Sequence, residues 1–71
     1  MITTDKLIAY EIGELNGAET IELFADLIRS GLAWTLQGHY GRTAARLMEL
    51  GFIDANGDID TERCAEEGIE I

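Results

Sequence analysis

The sequence predicts a small all-α domain: a bundle of three main helices, made of a helical hairpin and a third helix packed across it, with a short acidic C-terminal hairpin or helical turn. Three observations carry this expectation. Apolar residues recur at helical spacing in three stretches. Residues that start and stop helices fall between those stretches. The strand-like pieces, Phe52–Asp54 and Asp58–Asp60, are too short to be stable alone.

The first helix is expected over about 4–15. Ile8, Ile12 and Leu15 fall at i, i+4, i+7 with Leu7 beside them, Thr3 or Thr4 can cap the start, and Asp5 suits the positive end of the helix dipole. Gly13 weakens its last turn. Asn16-Gly-Ala-Glu19 then has capping-box spacing: the Asn oxygen can accept the amide three residues on, while Glu19 reaches back. Behind it Ile21, Phe24, Ala25 and Ile28 make an apolar stripe that Leu23 and Leu27 widen, with Glu19, Glu22, Asp26 and Arg29 opposite. This predicts a helix over about 18–30, stopped by Gly31. The few residues between the two helices, Glu14 to Gly17, favour an antiparallel hairpin.

Leu32–Leu36 is short and apolar, either a helical turn or an extended stretch. A third helix begins somewhere from Gly38 to Thr43, with Tyr40, Ala44, Leu47 and Met48 at helical spacing. If it begins early, Gly41 lies inside it, which suits a place where another backbone must approach. Gly51 can take the left-handed position after this helix, with Phe52 packing back onto Leu47 as in a Schellman motif. Phe52–Asp60 reads as two tiny strands around an Asn-Gly turn, and Asp60 can cap a last helical turn over 61–67.

Length and charge narrow the function. Seventy-one residues allow one domain. A single Cys forms no internal disulfide, so helix packing or self-association must supply the stability. The net charge is −9. Residues 1–53 carry 7 acids and 4 bases, whereas residues 54–71 carry 7 acids and 1 base. The expected division is therefore a helical domain over 1–53 and an acidic appendage over 54–71. Such a balance disfavours phosphate and anionic-membrane binding. No apolar run suits a signal peptide or a membrane span, which makes a soluble, cytoplasmic protein the expectation.

Motifs for chemistry are weak. Asp54-Ala-Asn56-Gly-Asp58 resembles the start of a calcium loop, but Ile59 stands at the turn glycine and Ala65 at the bidentate glutamate. His39 and Cys64 are the chain's single His and Cys and lie 25 positions apart, which gives no basis for a catalytic pair. The acidic pairs Asp58/Asp60 and Glu66/Glu67 follow from composition, without a pocket to shift a carboxyl pKa. No enzyme, metal or cofactor is expected.

The stretch Trp34–Arg46 is different: 13 residues without an acid, holding the single Trp and two of the five bases. Trp, Tyr and Arg are enriched at interface hot spots. Trp34, Gln37, His39, Tyr40, Arg42 and Arg46 are therefore the candidate partner-binding residues. The competing reading makes Trp34 and Tyr40 core aromatics and pairs Arg42 and Arg46 with acids of the second helix. A winged-helix DNA binder fits the element order, but Asp54, Asp58 and Asp60 would stand where its wing needs phosphate contacts.

The runs Lys6-Leu-Ile-Ala-Tyr-Glu11, Glu14-Leu15 and Thr20-Ile-Glu-Leu-Phe24, and above all Leu32-Ala-Trp-Thr-Leu-Gln-Gly-His-Tyr-Gly-Arg-Thr-Ala44, resemble small helical proteins encoded by tailed bacteriophages. The resemblance covers roughly residues 2–53. It implies expression in a bacterial host cytoplasm and offers no catalytic residues. The leading expectation is a non-enzymatic phage accessory protein that binds a host or phage protein through the Trp34–Arg46 surface, with no direct nucleic-acid or membrane contact. The alternatives are an acidic mimic of nucleic acid, using Asp54 to Glu70 to occupy a basic groove on a host nuclease or defence complex, and a self-assembling structural protein that forms a homo-oligomer.

Overall fold

The computed structural model describes residues 3–71. Four α-helices follow one another among these residues: α1 (Thr4–Glu11), α2 (Gly17–Ser30), α3 (Gly38–Glu49) and α4 (Thr61–Glu66). A single 3₁₀ turn, Leu32–Trp34, joins α2 to α3. An isolated antiparallel bridge between Ile53 and Ile59 is the sole β pairing among the described residues. The fold is thus a small all-α bundle, as the periodicity predicts.

α2 is the centre of the core. Ile21, Leu23, Phe24, Ala25, Leu27 and Ile28 are all buried, the six residues its apolar stripe picked out. Burying each large side chain contributes about 1.5–3 kcal/mol. The expected capping box forms: the Glu19 amide donates to Asn16 Oδ1 at 2.8 Å and the Asn16 amide donates to Glu19 Oε1 at 3.1 Å.

α1 departs from its expected face and length. It stops at Glu11, and the Gly13 amide donates to the Tyr10 carbonyl while Glu14 reaches the Ala9 carbonyl. Ile8 and Ile12 are 50% and 62% exposed, and Leu7, Tyr10 and Leu15 pack against the core instead. A helix of two turns offers both an i, i+3 and an i, i+4 apolar pair. The Tyr10 ring, meeting Phe24 edge-on at 5.1 Å, gives the larger contact and sets the rotation.

α3 begins early, at Gly38, and holds Gly41 inside it. The preceding 3₁₀ turn lies against the helix here: a Cβ on Gly41 would sit in ordinary contact, 3.4 Å from the Ala33 carbonyl oxygen, so the packing does not itself demand a glycine. The end of α3 is the expected Schellman motif. Gly51 has φ +85°, its amide donates to Met48 O, and the Phe52 amide donates to Leu47 O.

The division at residue 53 is corrected by the core itself. The acidic segment 54–71 is built into the body rather than appended. Ile53 is 1% exposed and Cys64 is fully buried, and Ile59 and Ile69 pack against the same core. The hairpin turn also differs from a two-residue Asn-Gly turn. Asn56 keeps a negative φ, and Gly57 alone is left-handed. The Gly57 amide donates to Asp54 O and the Asp54 amide to Asp58 O, the arrangement of a type I turn followed by a glycine bulge.

Gly57 is buried because it docks on α2. A Cβ there would lie 2.7 Å from the Ala25 carbonyl oxygen and 2.9 Å from Arg29 Cβ. Arg29 Nη2 donates to the Gly57 carbonyl at 2.8 Å. Gly57→Ala therefore meets both a left-handed backbone and a backbone clash, and it should cost about 2–4 kcal/mol. Gly13 is also left-handed but open to space, so Gly13→Ala should cost only about 1 kcal/mol. Urea unfolding of the two variants checks the difference; equal losses would show that Gly57 does not key the turn to α2.

Candidate functional site

The candidate residues divide between core and surface. Tyr40 is corrected to the core: it is 3% exposed. Its spacing with Ala44 places it on the inward face of α3, where its ring stacks near Phe24 at 6.1 Å and Tyr10 at 5.7 Å. Its hydroxyl donates to Glu11 Oε1 at 2.9 Å, tying α3 to α1. Tyr40 therefore supports the surface from beneath and offers a partner no contact area.

The other five remain accessible. Trp34 is 53% exposed. One edge of its indole rests on α3, with Cε3 3.7 Å from where a Gly41 Cβ would sit. Gln37, Arg42 and Arg46 are exposed and His39 is half-buried, its ring 4.2 Å from that of Tyr40. On α3 His39, Arg42 and Arg46 stand at i, i+3, i+7, on the side turned away from Tyr40 and Ala44. The ion pairs among the described residues are Arg29–Asp26 at 3.0 Å and Arg63–Glu67 at 2.7 Å. The expected pairing of Arg42 and Arg46 with acids of α2 does not form among these residues.

The acidic turn uses several of its carboxylates internally. Asp54 Oδ1 accepts the amides of both Asn56 and Asp58 at 2.9 Å, which is turn chemistry rather than the open ligand shell of a calcium loop. Asp60 Oδ1 caps α4 by accepting the Arg63 amide. Among the described residues no group of three or more His, Cys, Asp and Glu could hold a metal ion. His39 and Cys64 are not brought into a catalytic pair: one stacks on Tyr40, and the other is sealed in the core.

Arg63 is the residue whose role the sequence did not reveal. Its Nε donates to the Leu50 carbonyl at 3.0 Å, its Nη1 reaches Glu67, and its guanidinium lies 5.1 Å from the Phe52 ring centroid. It thereby fastens α4 to the end of α3, where a cation also suits the dipole. The one available signal was its being the single base of the last 18 residues.

The fold and surface define a class: a compact helical domain with an exposed indole and two guanidiniums beside an aromatic core. The chain belongs to a family described as a domain of unknown function (DUF7417), whose model matches residues 2–69. That match runs through the acidic turn and α4, well past residue 53. No curated protein and no solved structure matches the chain. No helix among the described residues is long and apolar enough to cross a membrane.

Two titratable groups respond to the core. Burial, the bond to Glu11 and the charge of Glu11 push Tyr40 from 10.0 up to about 12. Between these values the unfolded chain loses a proton that the folded chain retains, so the stabilisation from Tyr40 is complete below pH 10 and is lost as pH rises through about 12. Unfolding midpoints measured across this range should fall more steeply for the wild type than for Tyr40→Phe; parallel curves would contradict the assignment. Burial also pushes the Cys64 thiol up. Native protein should react with a thiol reagent only as fast as it opens, and free-cysteine rates under native conditions would contradict its burial.

Proposed function

We propose that this is a non-enzymatic, phage-encoded accessory protein that acts in the bacterial host cytoplasm by binding a host or phage protein. The contact surface is Trp34, Gln37, His39, Arg42 and Arg46, with Tyr40 holding α3 in place beneath it. The observation that carries the reading is the exposure of Trp34, at 53%, together with two exposed arginines on α3 that no acid among the described residues neutralises. An indole supplies apolar area to a partner, and guanidiniums supply charge-assisted hydrogen bonds. The resemblance of the run Leu36–Thr43 to small phage proteins supports the setting.

The test compares capture from infected cells by the wild type, Trp34→Ala and Arg42→Ala/Arg46→Ala at equal folded content. All three substitutions fall on exposed side chains and should change stability little. Loss of the same captured protein by at least about tenfold, the scale of one hot-spot residue, is the expected outcome. Unchanged capture by both variants would overturn the reading. Capture that is instead abolished by moderate salt and by Asp→Asn changes at residues 58–60 would transfer the function to the acidic segment.

A further inference from the structure

The first turn of α3 is built unlike those of the other helices. α1, α2 and α4 start on side-chain caps from Thr3, Asn16 and Asp60, and each carries an acid in its first turn. α3 has neither, although the chain has 14 acids to place. Arg42 folds back over this turn instead: its Nη1 lies 3.0 Å from where a Gly38 Cβ would sit. A cation at this end of a helix opposes the dipole, and no acid among the described residues offsets it. Arg46 follows one turn along the same outward side, and Trp34, 53% exposed, rests its Cε3 edge against Gly41, one turn on from Gly38.

The geometry points to one kind of occupant for this face: a short acidic segment of the partner protein, with carboxylates paired to Arg42 and Arg46 and an apolar side chain laid on Trp34. This rests on the proposed function and names the chemistry of its partner. Charge complementarity selects it. The face is cationic, yet the chain carries −9 overall. A long polyanion such as nucleic acid would meet that whole negative field with only two guanidiniums in return. A second copy of this chain would bring its own −9. A short segment gains the local pairs and avoids most of the repulsion, because the field is screened beyond about 8–10 Å at ordinary salt.

A displayed library of random peptides, selected against the full chain, tests this without knowledge of the partner. Trp34, the chain's single tryptophan, reports binding by its emission. The expected winners combine Asp or Glu with an apolar or aromatic residue, shift Trp34 emission, and bind at least about tenfold more weakly to Arg42→Glu and to Arg46→Glu, as the loss of a charge-assisted bond implies. Replacing the acids of a winning peptide by Asn or Gln should weaken it comparably. Winners that need Trp34 but are uncharged or basic would overturn the acidic chemistry and leave the binding surface standing. If no winner depends on Trp34, Arg42 or Arg46, the inference and the proposed surface fail together. Tighter binding of a single-stranded oligonucleotide than of any peptide would also overturn the inference.

Discussion

Phe24 meets the Tyr10 ring edge-on and lies against the Tyr40 ring, and one turn further on Leu27 is just as completely sealed. Three other parts of the chain are fixed by contact with this face or flank of α2. Tyr10 brings in α1, Tyr40 brings in α3, and Gly57 brings the acidic turn against the backbone at Ala25. In a domain this small the apolar area buried on folding only narrowly exceeds the entropy cost. Losing the Phe24 contacts would therefore loosen two attachments, α1 and α3, at once.

The polar contacts that join distant elements are few and occur at the edges of this core. Tyr40 binds Glu11, Arg29 binds the Gly57 carbonyl, and Arg63 binds the Leu50 carbonyl. Each links segments that the apolar core brings near but does not orient. Each is a single charge-assisted bond at the edge of a core that already brings the segments together, so these bonds refine the arrangement rather than create it. Without the Tyr40–Glu11 bond α1 would keep the rotation that Tyr10 sets against Phe24 but lose its polar tie to α3.

How much was legible in the sequence follows from this division. α2, its capping box and the Schellman end of α3 depend on residues within a few positions of one another, and they were readable. The rotation of α1 was not, because Ile8/Ile12 and Leu7/Tyr10 are both plausible faces until Phe24 is present to choose. Tyr40 belonged to the inward spacing of α3 and also to the hot-spot residue types, and only burial separates the two. The docking of Gly57 on α2 spans more than thirty residues and leaves no local trace beyond a glycine in a turn. Arg63 was hidden for the same reason: its partner carbonyl lies on another helix.

The docking of the acidic turn has an effect beyond stability. The backbone that carries its carboxylates is tied to the body, with the Asp58 amide donating to Asp54, Arg29 holding the Gly57 carbonyl and Arg63 holding the Leu50 carbonyl, so the negative charge is anchored there rather than spread along a loose tail. The cationic first turn of α3 is equally fixed. A body with charges of both signs fixed in place carries a permanent dipole moment, which favours some orientations over others as a charged surface approaches. The protein would thus be turned before it touches, and Gly57, by docking the acidic turn on α2, helps set the direction in which it turns.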